Sequence, residues 1–449
     1  MAKQILIIGG GISGLATLHY LRQRYASRPD VNIQLIEKNE RIGGTIQSTR
    51  RKGAIFEAGP NGFLNSRQEI MDLIHELDLE EHLLVANPEN KKRYICLEDK
   101  LYALPKGPAR FLSFPILTWQ DRFRIFTEIF ISRGKKENES VAEFGIRRFG
   151  KNITDYLLDP LITGIFAGNI HQLSVRHVLP MLLEYEQKYG SVFKGLFAQK
   201  EQLARKMRGQ FCSFRGGMED LIERLGERYS SCIRLGEETL RVEKKDQGFV
   251  VETTQMKYFA DELFVCTPAF AASKILENEC AKLSKLLDEI HYAPIAVVGF
   301  LYPRSAFSQP PTGFGYLVPS KENKEILGVI FSSNLFTHRV DDSHHSFRVI
   351  LGGAHHPQIL EKNELDLIAL AEKEIQNVLG AQARPEEHFV KTWEKGIPQY
   401  DLHYANLINS IESELKVQPH LHLVANYRGG VGINDCILSA RQTVESVSF

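Results

Sequence analysis

The 449-residue sequence contains few cysteines, no excess of either charge and no long apolar run. Its six cysteines form no CxxC pair, which argues against zinc knuckles and redox-active dithiols. The 55 basic residues balance the 55 acidic residues, so no overall positive field favours a nucleic-acid partner. No stretch of 18 apolar residues predicts a bilayer span. The opening residues, Met-Ala-Lys-Gln, lack a signal-peptide pattern, so we expect a cytoplasmic, reducing location.

Common metal and electron-relay motifs are also missing. No HExxH spacing occurs, and His344-His345 and His355-His356 are adjacent pairs whose side chains point apart on a strand or helix. We therefore expect no metal site. No second GxGxxG follows a strand, so no NAD(P)H domain is predicted to reduce a cofactor. A chain of this length suits two or three domains, and these absences favour an oxidase that passes electrons to dioxygen or a quinone.

The first 40 residues have the pattern of a βαβ unit that binds a dinucleotide. Residues 4–8 form an apolar strand, helical periodicity follows, and residues 32–37 form a second strand. The turn between the first strand and the helix consists of Gly9, Gly10, Gly11, Ile12, Ser13 and Gly14. Gly9 permits the tight turn, Gly11 lets the backbone approach a pyrophosphate, and Gly14 lets helix and strand pack closely.

Three further segments distinguish FAD from a nicotinamide cofactor. Glu37, followed by Lys38, ends the second strand, where a carboxylate binds ribose hydroxyls and repels a 2′-phosphate. The extension then contains Arg41, Gly43, Gly44 and Thr45, and resembles that of flavoproteins with two dinucleotide-binding domains. A turn of Gly59, Pro60, Asn61 and Gly62 can approach a ring system. Near the C-terminus, Val431, Gly432 and Ile433 begin a helix whose N-terminus can face the flavin's pyrimidine end. We expect FAD in a discontinuous domain.

Residues 107–135 interleave aromatic and basic side chains in an amphipathic segment. Trp119, Phe123, Phe126 and Phe130 alternate there with Arg122 and other cations. Two interpretations remain open. The segment either packs as ordinary helical core or docks on an anionic membrane surface.

Dispersed motifs along nearly the whole chain resemble the protoporphyrinogen oxidase family. Besides the glycine turn at residues 9–14, they are Gly59-Pro60-Asn61, Arg93-Tyr94, Gly164-Ile165-Phe166-Ala167-Gly168, Ser213-Phe214-Arg215-Gly216-Gly217-Met218, Gly313-Phe314-Gly315-Tyr316-Leu317-Val318-Pro319, Ile397-Pro398-Gln399-Tyr400 and Asn434-Asp435-Cys436-Ile437. The resemblance implies a fold of mixed α/β and α+β class with three parts. These are a Rossmann-like FAD domain (1–84, 208–275 and 390–449), a β-sheet substrate domain (85–106 and 276–389) and a helical, membrane-binding domain (107–207).

The resemblance also implies a reaction and its site residues. The reaction is a six-electron oxidation of a porphyrinogen to a porphyrin in three flavin cycles. Arg93 corresponds to the arginine that binds a substrate propionate, as its planar charged fork suits. Phe314 and Leu317 correspond to the pair that sandwiches a pyrrole ring, and Gly164 to the backbone opposite the macrocycle. Ile330 and Ile350 correspond to pocket walls, Asn61 to the flavin edge, and Val242 and Trp393 to further FAD contacts.

Several alternatives stay open at this point. A coproporphyrinogen III oxidase of the same flavin type is the nearest, although its members tend to lack the arginine that Arg93 supplies. A non-catalytic prenyl-protein escort shares a related fold, and amine oxidases and carotene desaturases share the cofactor. Peripheral contact with the inner face of the cell membrane and assembly as a homodimer are open too.

Overall fold

The computed structural model describes residues 3–105, 107–200, 209–245 and 248–447. The strands within these ranges are β1 (Lys3–Ile8), β2 (Val31–Ile36), β3 (Ser48–Arg51), β4 (Ala54–Glu57), β5 (Phe63–Leu64), β6 (Leu83–Val85), β7 (Arg93–Leu97), β8 (Lys100–Ala103), β9 (Phe211–Phe214), β10 (Ile233–Arg234), β11 (Thr239–Lys245), β12 (Gly248–Thr253), β13 (Lys257–Ala260), β14 (Glu262–Val265), β15 (Tyr292–Pro303), β16 (Gly315–Leu317), β17 (Ile326–Phe331), β18 (His344–Gly352), β19 (Glu387–Pro398) and β20 (Leu421–Leu423). The helices are α1 (Ile12–Arg24), α2 (Gln68–Glu76), α3 (Pro108–Leu112), α4 (Trp119–Thr127), α5 (Val141–Phe149), α6 (Lys151–Ile153), α7 (Asp159–Phe166), α8 (Val175–Val178), α9 (Pro180–Tyr189), α10 (Val192–Ala198), α11 (Glu219–Arg228), α12 (Ala269–Leu276), α13 (Ala281–Asp288), α14 (Ser332–Leu335), α15 (Glu364–Leu379), α16 (Tyr404–Lys416) and α17 (Ile433–Ser446).

A five-stranded parallel sheet with strand order β10-β2-β1-β14-β20 forms the first lobe. Ile5 to Ile8 of β1 are all buried because helices and a small antiparallel sheet cover both faces. Helices α1, α2, α11 and α17 pack on one face. The other face is covered by α12, α13, α16 and the β11-β12-β13 sheet. Segments distant in sequence therefore meet at the carboxyl ends of β1 and β2.

A seven-stranded mixed sheet with order β19-β15-β18-β17-β16-β7-β8 forms the second lobe. Helix α15 packs on one of its faces, where Phe347, Val349 and Leu351 of β18 meet Leu367 and Ile375. Because side chains alternate along a strand, Arg348 and Ile350 lie on the opposite face. Ile350 packs there against a separate apolar cluster that includes Val297 and Leu327.

Helices α3 to α10 form a third, helical part around their own apolar core. Arg148 is fully buried at its edge and forms ion pairs with Glu128 and Glu186. Among the described residues, no helix combines the length and apolar character needed to cross a membrane.

Three of the predicted domain limits fall inside observed elements: the limit between residues 84 and 85 lies inside β6, that between 275 and 276 lies at the end of α12, and a third lies inside β19. The limit between residues 389 and 390 falls inside β19, which pairs with β15 from Glu387 to Pro398. The strand is continuous across that limit, so its residues belong to one sheet. The limit between residues 207 and 208 lies outside the described residues.

Candidate functional site

The glycine turn joins β1 to α1 where the strand and the helix pack closely together. Gly9 has a φ of +105°, which favours glycine. A Cβ atom on Gly14 would lie 1.9 Å from the Gly9 carbonyl oxygen, so a side chain there would block the approach of helix to strand. A Cβ atom on Gly11 would meet nothing within 4 Å, so the backbone borders open space. The first N–H groups of α1 face this space, as an anion-binding helix N-terminus requires.

Glu37 is held in place by main-chain groups beside this turn. The Gly10 N–H donates to its Oε2 at 2.7 Å, and the Asn39 N–H donates to its Oε1 at 3.0 Å. The Asn39 Nδ2 also donates to Oε1 at 2.5 Å, so Oε2 is the oxygen that keeps acceptor capacity for a ribose hydroxyl. Lys38 is exposed next to it.

The loop that contains Arg41 folds over the glycine turn. The Gly43 N–H donates to the Gly10 carbonyl at 2.7 Å, and a Cβ atom on Gly44 would lie 3.4 Å from the Gly11 Cα. Arg41 donates to the Gly44 carbonyl at 3.0 Å and to the Ile46 carbonyl at 2.7 Å. Its Nη2 also lies 3.2 Å from the Glu219 Oε1. The Arg41 guanidinium therefore stabilises the conformation of the loop that contains it.

The turn at residues 59–62 lies against this loop. A Cβ atom on Gly59 would lie 2.0 Å from the Thr45 carbonyl oxygen, so the two backbones touch. The Trp393 Nε1–H donates to the Ala58 carbonyl at 2.9 Å, which connects β19 to the turn. Asn61 is buried, and its Nδ2 has no hydrogen-bond partner within the described part of the chain. A buried amide donor of this kind needs an acceptor from a ligand.

The C-terminal loop brings a second helix N-terminus to the first. Helix α17 begins at Ile433, and the Asp435 carboxylate accepts from the Gly432 N–H at 3.3 Å. Burial raises the pKa of the Cys436 thiol to about 11, and a hydrogen bond with Ser13 opposes that rise. This contact joins the first turns of α1 and α17. The predicted cofactor segments at both ends of the chain are thus neighbours.

Val242 is placed differently from the other predicted cofactor residues. Its side chain is fully buried in the core beneath β11 and β12, where Val242 is opposite Val251. Only its main chain is available to face a cofactor. Trp393 is half-buried on β19, and the Lys391 ammonium lies 4.7 Å from its ring centre.

Strand register places the predicted substrate residues in two adjacent rows on one face of the seven-stranded sheet. The first row runs Arg93, Gly315, Ile330 and Arg348 across β7, β16, β17 and β18. The second row runs Leu317, Gly328 and Ile350. Residues from four separate stretches of sequence are thereby brought together.

Arg93 is an unpaired cation at one end of the first row. Its guanidinium lies 4.7 Å from the ring centre of Phe314, a distance at which a cation and an aromatic face attract. It forms no ion pair with any residue that the structure describes. Desolvation lowers the pKa of Arg93 from its ordinary value, and no nearby carboxylate opposes this. The arrangement suits an incoming anion.

Gly164 and Leu317 form a close contact on this face. A Cβ atom on Gly164 would lie 2.7 Å from the Leu317 Cδ2, inside contact distance. The end of α7 that carries Gly164 is fixed because Gln399 donates to the Phe166 carbonyl at 2.9 Å. The Ala354 N–H also donates to the Ala167 carbonyl at 2.7 Å. The apolar surface beside Leu317 therefore has a rigid boundary.

Sequence reasoning missed three charged residues between the two lobes. Arg339 and Glu57 form a fully buried ion pair at 2.6 Å. Arg348 donates to the Gly59 carbonyl, and desolvation lowers its pKa to about 10. Arg348 alternates along β18 with the buried Phe347 and Val349, and its side of the strand faces the other lobe.

Comparison with known proteins agrees with this two-lobed site. The family model for flavin containing amine oxidoreductases matches residues 12–448. Bovine (Bos taurus) protoporphyrinogen oxidase is 33% identical over 100% of this chain and 98% of its own length. Coproporphyrinogen III oxidase of Bacillus subtilis is 26% identical over 98% of this chain and 97% of its own. The crystal structure of a proposed protoporphyrinogen oxidase from Exiguobacterium superposes with a TM-score of 0.85 at 25% identity, covering 99% and 98% of the two chains.

The fold and the glycine turn define a dinucleotide-dependent redox enzyme with a second, seven-stranded sheet. The chain belongs to the flavin containing amine oxidoreductase family. It is an FAD-dependent oxidoreductase, as the sequence predicted, and the mixed α/β fold is confirmed as well. The residues present fit FAD, since open space at Gly11 and the unpartnered Asn61 amide await a ligand rich in acceptors. This result argues against the non-catalytic escort.

Proposed function

We propose that the enzyme oxidises protoporphyrinogen IX to protoporphyrin IX in haem biosynthesis, with dioxygen or a quinone as the final acceptor. The observation that carries the proposal is Arg93, an unpaired cation stacked on Phe314 at the edge of an apolar surface. A tetrapyrrole with carboxylate side chains matches both properties. The 33% identity to the bovine protoporphyrinogen oxidase, over 98% of its length, supports protoporphyrinogen as the substrate.

The reaction removes six electrons in three equal rounds. Bound FAD supplies a two-electron acceptor for each round. With dioxygen as the final acceptor, three O2 molecules take up six electrons and six protons and leave as three H2O2 molecules. The product is the fully conjugated porphyrin.

The side chains of the proposed site bind and orient the substrate. Arg93 binds a propionate through charge-assisted hydrogen bonds. Phe314 and Leu317 hold a pyrrole ring, and the Gly164 backbone limits how far the macrocycle can move. Ile330 and Ile350 form walls that exclude water. A flexible porphyrinogen needs such a slot, because hydride transfer requires the reacting atoms to lie about 3 to 3.5 Å apart.

We assign the cofactor to the residues that surround the two helix N-termini. They are Gly9, Gly10, Gly11, Ile12, Ser13, Gly14, Glu37, Lys38, Arg41, Gly43, Gly44, Thr45, Gly59, Pro60, Asn61, Gly62, Val242, Trp393, Val431, Gly432 and Ile433. Val242 contributes through its main chain, and Arg41 through the loop that it shapes. We also propose the three-part domain division, with the final FAD segment starting after Pro398 so that β19 stays with its sheet.

Substitution of Arg93 tests the substrate site. Loss of one charge-assisted contact costs about 1.5 to 3 kcal/mol, so Arg93→Ala should lower kcat/KM for protoporphyrinogen roughly 10- to 150-fold. Flavin absorbance near 450 nm should stay at the wild-type level. Lys92→Ala removes the neighbouring exposed cation and serves as the matched control. Loss of FAD in Arg93→Ala, or an equal effect of Lys92→Ala, would contradict the assignment.

A peripheral membrane contact forms a second part of the proposal. Trp119, Phe123, Phe126 and Phe130 are 72%, 65%, 61% and 80% exposed. Their spacing of four, three and four residues places them along one side of α4 and the turn that follows. An exposed aromatic stripe flanked by arginines suits the interface of an anionic bilayer such as the inner face of the cell membrane.

Liposome flotation tests this contact. The wild-type protein should float with anionic vesicles, and Phe123→Ser combined with Phe126→Ser should leave it at the bottom. A matched control replaces Phe259 and Met256, which are exposed on the small sheet of the first lobe, with serine. A wild-type protein that does not float would contradict the proposal.

A further inference from the structure

Arg348 carries the only guanidinium that joins the substrate sheet to the turn at residues 59–62, among the residues that the structure describes. It projects from β18 on the face shared with Ile350, and one terminal nitrogen donates to the Gly59 carbonyl. Its Nε is shielded from solvent and has no hydrogen-bond partner within the described ranges. The Arg348 Nε–H is therefore a hydrogen-bond donor without a partner among the described residues.

The charges around Arg348 do not balance. Glu57 and Arg339 are each 1% exposed and neutralise one another at 2.6 Å. Glu57 is further occupied by the Met218 N–H at 2.8 Å and the Ser48 hydroxyl at 2.7 Å. Arg348 forms no ion pair inside the described part of the chain, so the group keeps one uncompensated positive charge. Arg348 is half-buried, and a charge that is partly removed from water without a counter-charge is costly, so a bound group that supplies acceptors or negative charge would stabilise it.

A second unpartnered donor belongs to the same turn. Asn61 is two residues beyond Gly59, is buried, and its Nδ2 has no acceptor among the residues that the structure describes. Gly59 itself touches the Thr45 carbonyl of the cofactor loop. Arg348 and Asn61 therefore border the place where the dinucleotide loop meets the substrate sheet.

We infer that Arg348 faces the ring system of FAD, where, with Asn61, it donates hydrogen bonds to ring acceptors and balances the negative charge that the ring gains on reduction. A cation placed where charge develops stabilises the reduced state without having to move. Arg93 serves a different ligand, because three strand spacings of about 4.8 Å separate the two residues along their row. One end of the row binds substrate carboxylate and the other end contacts the cofactor.

This inference rests on the proposed position of FAD beside residues 59–62 and not on the identity of the substrate. Its test needs no porphyrinogen. Three holoenzyme variants are compared with the wild type: Arg348→Gln, which removes the charge, Arg348→Lys, which keeps it, and Arg304→Gln, which removes an exposed arginine from the far end of β15.

Two measurements on the bound flavin, its midpoint potential and its affinity for sulfite, test whether Arg348 faces the ring system. Arg348→Gln should have a lower midpoint potential and should bind sulfite at least about tenfold more weakly, as expected for loss of a charge-assisted hydrogen bond. Arg348→Lys should stay within about threefold of the wild type for sulfite, and Arg304→Gln should equal it. An unchanged potential and sulfite affinity in Arg348→Gln, even with a raised KM for porphyrinogen, would overturn the inference and assign Arg348 to the substrate.

A third measurement uses only the wild type and can still overturn the inference if Arg348→Gln does not retain FAD. Photoreduction should accumulate the red, anionic one-electron-reduced flavin at neutral pH. Accumulation of the blue, neutral form would contradict a cation at the ring.

Discussion

Replacing Gly164 with alanine should separate stability from catalysis. The added Cβ would lie 2.7 Å from the Leu317 Cδ2, about 1 Å inside the usual contact distance of 3.5 to 4.0 Å. Leu317 has to yield, and the space it moves into is the surface that we assign to the pyrrole ring. In the free enzyme Leu317 can relax into this space, so the clash arises when substrate binds; a clash of overpacking size, about 1 to 3 kcal/mol, corresponds to a loss in kcat/KM of roughly 5- to 150-fold.

The same substitution should not weaken the fold. Gly164 lies in α7 and is exposed, and alanine is favoured over glycine in a helix by up to about 1 kcal/mol. The free energy of unfolding should therefore stay equal or rise slightly. The assay follows porphyrin fluorescence from protoporphyrinogen in air, alongside urea denaturation.

Shortening the Leu317 side chain, which the new methyl group would contact, provides the control. Leu317→Ala removes the atoms that the new methyl group would meet, so Gly164→Ala should cost less activity in that background than in the wild type. The two variants would then be coupled by about 0.5 to 3 kcal/mol. Full activity of Gly164→Ala, or strict additivity of the two substitutions, would refute the steric argument.

Three further predictions concern the fold around the site. Arg339→Met removes the ion-pair partner of the buried Glu57. Because Arg348 still interacts with that carboxylate, the free energy of unfolding should fall by about 3 kcal/mol, the lower end for a broken buried pair, measured by urea denaturation; a change under 1 kcal/mol would contradict the pairing. Gly14→Ala places a methyl group 1.9 Å from the Gly9 carbonyl and should abolish FAD retention, read at 450 nm, whereas full retention would show that helix and strand can separate. Burial lowers the pKa of His345 to about 4 from its ordinary value of about 6.5. The free energy of unfolding should therefore decline as the pH falls from 6.5 towards 4. In His345→Phe the denaturation midpoint should change less over this pH range.

The cofactor half of the site could be predicted from sequence because its signals are local. The turn at residues 9–14 lies directly between β1 and α1, and Glu37 immediately follows β2. Each glycine has a steric reason that depends on residues nearby in the chain or on main-chain geometry. A strand, a turn and a helix in that order leave few alternatives.

The substrate half could not be predicted without the family resemblance, because it depends on long-range register. Arg93 on β7 is placed beside Gly315 on β16, and Ile330 beside Arg348, by pairings that no local pattern specifies. A shift of one residue would turn each side chain to the other face. The resemblance supplied Arg93, Phe314, Leu317 and Gly164 as candidates, and the register shows how they can lie on one surface.

The position of Arg348 and the domain limit at residue 390 could not be predicted from sequence for the same reason. Both depend on packing between segments that are distant in the chain. An arginine between apolar residues of a strand normally indicates a solvated face, and only the packing of the second lobe shows that this face is interior. Strand β19 returns to pair with β15 about 95 residues after it, so its sheet could not be read from its own composition. Electrostatic pairs between lobes, such as Glu57 with Arg339, have no local signal at all.

The most direct test of the central claim is a side-by-side turnover assay of the purified, FAD-containing protein with protoporphyrinogen IX and coproporphyrinogen III, followed by porphyrin fluorescence. We expect a higher kcat/KM with protoporphyrinogen IX than with coproporphyrinogen III, with three O2 consumed for each porphyrin formed. A higher kcat/KM with coproporphyrinogen III, or no turnover of either substrate by protein that retains its flavin, would contradict it.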